Sequence, residues 1–146
     1  MEKKYKLTEE TIIVDGRTLH RIEALKGFAN VKKGDKGGFI EKGENLSQDG
    51  NCWVCDNAMA YGNSQVYDDA KVYGNAVVFG DAQVFGNAEV FGYAEVFGYA
   101  NVFGSAKVSG NAQIYGDAEV YDDAEVFGYA EVRGNAEVRG NAKVRD

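Results

Sequence analysis

Two cysteines and one histidine are the side chains of this sequence with the clearest potential for chemistry. Cys52 and Cys55 form a CxxC motif, a spacing found in metal sites and redox pairs. A zinc site needs further ligands, and there is no second pair, so an ordinary structural role for both cysteines is favoured. His20 is the only histidine, and a base with a pKa near the working pH is what acyl transfer requires.

Other catalytic and ligand-binding motifs are missing from the sequence. Residues 34–39 read GDKGGF, which lacks the Lys-Ser/Thr pair of a P-loop and the spacing of a dinucleotide-binding loop. The acidic side chains after residue 51 are dispersed and form no clear carboxylate pair. We therefore predict no metal ion and no cofactor.

Length and composition predict one cytoplasmic protein with a sizeable core. A chain of 146 residues can bury such a core, and no apolar run reaches the roughly 18 residues of a membrane helix. The first ten residues, MEKKYKLTEE, lack the apolar stretch of a signal peptide. With two cysteines and no export signal, a reducing compartment is expected.

Charge is unevenly distributed along the chain. Residues 1–51 hold 10 Lys and Arg against 9 Asp and Glu, a net charge of +1, and residues 52–146 hold 6 against 14, a net charge of −8. The two values sum to the −7 of the whole chain. Because nucleic-acid binding needs a basic surface, direct binding is not expected. An acidic surface can instead compete with nucleic acid for a basic protein.

A six-residue repeat organises residues 52–146. Its form is A-x-V-(F/Y/R)-G-(N/D/Y), and about sixteen units follow one another without insertion or deletion. Glycine at every sixth position is unfavourable in a helix, whereas Ala and Val two positions apart share one face of a strand. Gly and the following Asn or Asp suit a corner with positive φ. Stacked units therefore predict a parallel β-solenoid.

The residues that point outward from the strands test the length of one coil. Every 18 residues from position 53 they are Trp53, Lys71, Glu89, Lys107, Glu125 and Lys143. After Trp53 the charges alternate strictly, and stacked neighbours about 4.8 Å apart would then be of opposite sign. This order predicts coils of three units, and residues 52–146 would form about five of them, stacked about 4.8 Å apart.

The repeat resembles that of the hexapeptide-repeat superfamily, with Val at its aliphatic position and Ala at its small position. The resemblance implies an all-β fold, a single-stranded left-handed parallel β-helix of triangular cross-section. Its left hand is implied by the resemblance alone, because general crossover rules favour the right hand.

Residues 1–51 are not repetitive and are predicted to form a small β cap. Asp15-Gly16 lies between two alternating apolar runs, a strong signal for a hairpin. The first coil of a solenoid must be covered, because open strand edges pair with other chains. The predicted apolar anchors of the cap are Phe28, Val31, Phe39, Ile40, Leu46 and Trp53.

Two segments, ANVKKGDKGGFIE and ENLSQDGNCWVCDNA, resemble the leader of a bacterial and prophage subgroup of the superfamily, whose members usually carry the label of transferase. Acyl transfer is the commonest activity of hexapeptide proteins, and it uses a His base and often a loop that leaves the coil. The repeat contains neither, so His20 would be the base of an acyl-CoA-dependent enzyme with a site between subunits. The related carbonic anhydrases bind zinc through three His, which this chain cannot supply.

The aromatic residue after each Val is predicted to stack along a corner of the triangle and to stabilise the fold. Tyr93, Tyr99 and Tyr129 depart from the pattern, because they replace the usual Asn or Asp at the end of the corner. With the outward residues of the face that begins at Met59 they form a candidate apolar patch, a common mark of interfaces. The residues assigned to this interface are Met59, Val77, Phe79, Tyr93, Phe97, Tyr99, Tyr115 and Tyr129.

The last coil carries arginine at all three corners. Arg133, Arg139 and Arg145 take the place of the aromatic residue. They are predicted to guard strand ends against aggregation, to lie where two rods meet end to end, or to bind an anion.

The sequence therefore predicts a non-enzymatic β-solenoid that binds or assembles through its surface. A homo-oligomer is expected, either a trimer or an end-to-end dimer. The specific hypothesis is a phage or prophage accessory factor that blocks a bacterial host defence protein. The alternatives are an acyltransferase that uses His20 and a structural spacer.

Overall fold

A computed structural model of the protein describes residues 3–145. The regular secondary structure of the described chain consists of β-strands and one short 3-10 turn at Gly43–Asn45. Three longer strands come first, namely β1 (Tyr5–Val14), β2 (Arg17–Ala24) and β3 (Lys36–Ile40). Residues 3–145 contain no helix with the length and hydropathy that spanning a membrane requires, and a cytoplasmic location stays a prediction.

Sixteen two-residue strands follow, and they form three parallel faces. The charged face contains β4 (Trp53–Val54), β7 (Lys71–Val72), β10 (Glu89–Val90), β13 (Lys107–Val108), β16 (Glu125–Val126) and β19 (Lys143–Val144). The tyrosine-flanked face contains β5 (Met59–Ala60), β8 (Val77–Val78), β11 (Glu95–Val96), β14 (Gln113–Ile114) and β17 (Glu131–Val132). The polar face contains β6 (Gln65–Val66), β9 (Gln83–Val84), β12 (Asn101–Val102), β15 (Glu119–Val120) and β18 (Glu137–Val138).

The 18-residue coil predicted from the sequence is confirmed. On the charged face Glu89 pairs with Lys71 on one side and with Lys107 on the other. Backbone hydrogen bonds join the coils. One example runs from the Val77 N–H to the Ala94 carbonyl oxygen at 3.0 Å. The opposite charges are therefore neighbours, but no ion pair within 4.0 Å links them in the described chain.

The capping segment already winds as a coil before the repeat begins. Strand β3 pairs antiparallel with β2 and parallel with β5, so that Phe39 lies beside Met59. The stack therefore has about six turns, one more than the repeat alone supplies. The amide nitrogen of buried Asn45 donates to the carbonyl oxygens of Gly62 (3.1 Å) and Ser64 (2.9 Å), which fixes this turn on the next.

The predicted hairpin is confirmed and extends the sheet of the tyrosine-flanked face, because β2 pairs with β3 and β3 pairs with β5. Asp15 and Gly16 have φ values of 52° and 75°, which the two-residue turn between Val14 and Arg17 requires. Leu19 is fully buried in an outer apolar cluster. The other members of that cluster are Ile12, Val14, Phe39, Met59, Tyr61, Val77 and Phe79.

The aromatic stacks are also confirmed. Along one corner Phe79 and Phe97 lie 4.9 Å apart with planes 7° from parallel, and the other stacked pairs are 4.8–5.2 Å apart. Most tyrosines at the ends of the stacks donate to acceptors on the next coil, as Tyr73 does to Glu89 Oε1 at 3.1 Å. Tyr61 instead donates to Asp15 Oδ2 of the hairpin at 2.9 Å. Burial, followed by neighbouring carboxylates, raises the pKa of Tyr61 and of Tyr73 to about 12.

These two tyrosines predict a loss of stability at high pH. Their pKa in the folded protein lies above the ordinary 10.0, so their contribution is complete below about pH 10 and is lost as pH rises towards about 12. We expect the urea midpoint to fall between about pH 10 and about pH 12. The double variant Tyr61→Phe/Tyr73→Phe should show a shallower fall, and an equal slope in both proteins would contradict this assignment.

Candidate functional surface

His20 lies on β2, in the hairpin, with a half-buried ring. Its Nδ1 is 3.0 Å from the carbonyl oxygen of Thr8. Because a carbonyl oxygen only accepts, Nδ1 carries the proton and the lone pair of the neutral ring lies on Nε2, the tautomer of a general base. The described residues provide no carboxylate or thiol within hydrogen-bond distance of the ring.

The two cysteines are free thiols with different surroundings. Cys52 is fully buried, and Lys4 Nζ lies 3.4 Å from its sulfur and 2.8 Å from its carbonyl oxygen. Cys55 is half-buried with its sulfur 3.6 Å from Asp56 Oδ1. Burial raises the pKa of both thiols, which lowers the fraction of each that is present as the reactive thiolate. No cluster of three His, Cys, Asp or Glu suited to a metal occurs within residues 3–145.

The lysine beside Cys52 has a structural role that the sequence did not reveal. Lys4 is 1% exposed, and its ammonium also donates to the Gly50 carbonyl oxygen at 3.2 Å. Burial lowers its pKa. These contacts tie the start of β1 to the first corner of the solenoid. The sequence offers little signal for this contact, because Lys4 stands among other lysines at the start of the chain.

The predicted apolar patch is divided by the hairpin. Met59, Val77 and Phe79 are half-buried against the cluster around Leu19. Phe97 and Tyr115 are half-buried in the corner stack. The apolar beginning of the tyrosine-flanked face therefore packs against the outer cluster, and the later coils of this face lie outside that cluster.

Three tyrosines border the uncovered part of this face. Tyr93, Tyr99 and Tyr129 are 63%, 65% and 69% exposed. Tyr93 and Tyr129 lie on one corner two coils apart, roughly 10 Å along the rod, and Tyr99 lies on the opposite corner. Between the two corners the outward residues are Glu95, Gln113 and Glu131.

The fold does not require tyrosine at these corner positions. Asn75 and Asn111 occupy the position of Tyr93 one coil before and one coil after it. Asp81 and Asp117 stand in the same relation to Tyr99. Since the same backbone corner forms with small polar residues, the tyrosines contribute surface area and not the turn itself.

Comparisons with known proteins agree with this architecture. Residues 70–84 match a family model described as the YdcK beta solenoid repeat. The chain carries hexapeptide repeats and folds as a β-solenoid. It is 39% identical over 69 residues to a protein named Uncharacterized acetyltransferase YdcK from Escherichia coli (strain K12), a match that covers 41% of this chain and 21% of that protein. This hexapeptide-repeat β-solenoid thus spans about a fifth of the curated relative that it matches.

The last coil of the β-solenoid places the three predicted arginines at three corners. Arg133, Arg139 and Arg145 are all exposed. Arg133 and Arg139 occupy the same corner positions as Tyr115 and Tyr121 one coil earlier, as the repeat predicts. Their proposed roles as guards, end-to-end contacts or anion ligands stay predictions.

Proposed function

We propose that this β-solenoid is a non-enzymatic binding and assembly protein whose contact surface is the tyrosine-flanked face. The exposure of Tyr93, Tyr99 and Tyr129 around one face is the observation that supports this proposal most strongly. A tyrosine can bury roughly 150–250 Å² in a contact. Tyrosine is also among the residue types that dominate binding energy at protein interfaces.

The first partner we propose is another copy of the same chain. Corner tyrosines that project beyond a flat face suit side-by-side packing of rods, which is also the arrangement that the family resemblance implies. Glu95 and Glu131 lie on this face, so like charges oppose close approach. We therefore expect association to strengthen with ionic strength, because salt screens exposed charges.

Replacing the three tyrosines by their positional equivalents is expected to weaken self-association by about 100-fold or more, because three interface aromatics are removed. The variant is Tyr93→Asn, Tyr99→Asp and Tyr129→Asn, which copies residues found at the same corners of other coils. Sedimentation over a concentration series gives the mass of the wild type and of the variant.

The matched control for this variant is Ser105→Asn, which changes the same corner position on the third corner. It should associate like the wild type. A wild type that stays monomeric at all concentrations, or a triple variant that associates as well as the control, would contradict self-assembly through this face.

A bacterial host protein with a basic surface is the second partner we propose. Support comes from the net charge of −8 on residues 52–146 and from the resemblance of the leader to prophage proteins. Blocking a host defence protein is the specific role in this proposal. We expect such a complex to weaken with added salt, which is the opposite of the salt dependence expected for self-association.

Acyl transfer is the second candidate function, and the name of the Escherichia coli relative favours it. His20 would be the base, since its Nε2 carries the lone pair. Coenzyme A release from acetyl-CoA in the presence of amine acceptors tests this function. Turnover that is lost in His20→Ala would favour the transferase over the binding protein, and turnover unchanged in that variant would remove His20 from the reaction.

A further inference from the structure

A groove of about 380 Å³ lies where the cap meets the first coils of the charged face. This volume falls within the range of about 300–1,000 Å³ that small-molecule sites occupy. Val31, Asp35 and Lys36 form its wall on the cap side, and Trp53, Lys71 and Tyr73 form its floor on the solenoid. Through Cys55, Asp56 and Tyr73 the groove reaches the corner that carries Tyr93 one coil later. It contains none of the residues of the proposed contact surface, so ligand binding here does not depend on the function proposed above.

Trp53 gives the groove an aromatic floor with an unused donor. The side chain is 5% exposed and is held edge-on by Phe28, with ring centres 5.2 Å apart, and by Tyr5 at 6.2 Å. Its indole N–H has no hydrogen-bond partner in residues 3–145, although the ring lines the groove. A donor in such a site favours a ligand that brings an acceptor oxygen.

Lys71 adds a cation that the surrounding carboxylates do not neutralise. Its ladder neighbour Glu89 accepts a hydrogen bond from the hydroxyl of Tyr73 at 3.1 Å. Within residues 3–145 no carboxylate lies within 4.0 Å of the Lys71 ammonium. The ammonium of a half-buried lysine beside an apolar floor is suited to an anionic group on a ligand.

The carboxylates of the groove are already engaged by backbone donors. Asp56 Oδ2 accepts from the Gly74 N–H at 3.1 Å, and Asp35 Oδ2 accepts from the Lys32 N–H at 2.9 Å. The other lysine of the wall, Lys36, has its Nζ 3.9 Å from Glu10 Oε1. The group that stays available for a ligand anion is therefore the Lys71 ammonium.

A strained turn holds the cap side of the groove in place. Ala29 has a φ of 46°, a region that residues other than Gly, Asn and Asp rarely adopt. Two backbone hydrogen bonds close this turn, from the Phe28 N–H to the Val31 carbonyl oxygen (2.9 Å) and from the Val31 N–H to the Phe28 carbonyl oxygen (2.7 Å). Backbone strain of this kind is often found at ligand sites, and here it fixes Val31 opposite Trp53.

We propose that this groove binds a small aromatic carboxylate. The ring of the ligand packs on the apolar surface of Val31, Trp53 and Tyr73. Its carboxylate accepts hydrogen bonds from the Lys71 ammonium and the Trp53 indole N–H.

The single tryptophan of the chain makes the groove directly observable. Trp53 fluorescence is measured during titration with phenylacetate. The comparison probes are 2-phenylethanol, which lacks the negative charge, and acetate, which lacks the ring. We expect a saturable change with phenylacetate. Because one charge-assisted hydrogen bond is lost, we expect affinity to be weaker by about tenfold for 2-phenylethanol and in the Lys71→Met variant.

The charged face offers a matched control. Lys107→Met removes the equivalent ammonium two coils further along the same row, outside the groove. This variant should bind phenylacetate like the wild type. Thermal unfolding confirms that both variants fold. The proposal is overturned if phenylacetate gives no saturable change, if 2-phenylethanol binds as well, or if Lys71→Met and Lys107→Met bind with equal affinity.

Discussion

Replacing Leu19 with aspartate is expected to detach the N-terminal hairpin from the solenoid. Leu19 is fully buried in the outer cluster with Phe39 and Tyr61. The change removes the apolar contact and leaves a charge to bury, so we expect docking of the hairpin to be weakened by about 4 kcal/mol. Amide hydrogen exchange should become fast in residues 11–20, while the later coils stay protected.

The control for this variant lies on the same hairpin. Ile13 is 67% exposed, so Ile13→Asp should leave exchange in the hairpin unchanged. Detachment also uncovers Met59 and Val77. The Leu19→Asp variant should therefore bind a hydrophobic dye, and the Ile13→Asp variant should not. Equal exchange rates in both variants would show that the cap is not held by this cluster.

Replacing Gly98 with alanine is expected to destabilise the solenoid more than replacing it with aspartate. Gly98 has a φ of 67°, and a Cβ there would lie 2.9 Å from the backbone nitrogen of Gly116. We expect a cost of about 2–3 kcal/mol for Gly98→Ala. Gly98→Asp should cost about 1 kcal/mol less, because its carboxylate can accept the Gly116 N–H.

The smaller cost expected for Gly98→Asp follows from corners where aspartate already replaces glycine. Asp68 and Asp122 have φ values of 59°, and their Oδ2 atoms accept from the N–H groups of Gly86 (3.1 Å) and Gly140 (3.0 Å). A steric control is Gly134→Ala, since Gly134 has a φ of 63° with nothing within 4 Å of an added Cβ. Urea unfolding measures all three variants, and a smaller cost for Gly98→Ala than for Gly98→Asp would contradict this account of the corner.

The repeated part of the fold could be predicted because each coil repeats the same physical problem. Ala and Val at fixed positions determine which face is buried, and the charge order from Lys71 to Lys143 determines which residues stack. The turn at Asp15-Gly16 can also be predicted, because its signal lies in these two residues and in the alternating runs on either side of them. These features depend on neighbours in sequence or on neighbours exactly one coil away, both of which a periodic sequence displays.

The contacts between the cap and the solenoid could not be predicted, because no periodicity relates the two parts. The sequence pattern assigns Met59 and Val77 to an interface with another molecule, and it gives no sign that both also pack against the outer cluster that contains Leu19. The alternation of apolar residues around Leu19 indicated a buried face but not what covers it. The groove at Trp53 depends on the same junction, since its walls come from segments far apart in sequence.

Tyrosine nitration mapped by mass spectrometry tests the central claim, that the tyrosine-flanked face is buried when the protein assembles. In dilute protein Tyr93, Tyr99 and Tyr129 should react fastest, in accord with their exposure. At concentrations that favour assembly these three should become protected, while Tyr67 and Tyr121, which lie on the far corner, keep their rates. Equal rates for the three tyrosines in dilute and concentrated protein, at a concentration where the mass has risen, would contradict the claim.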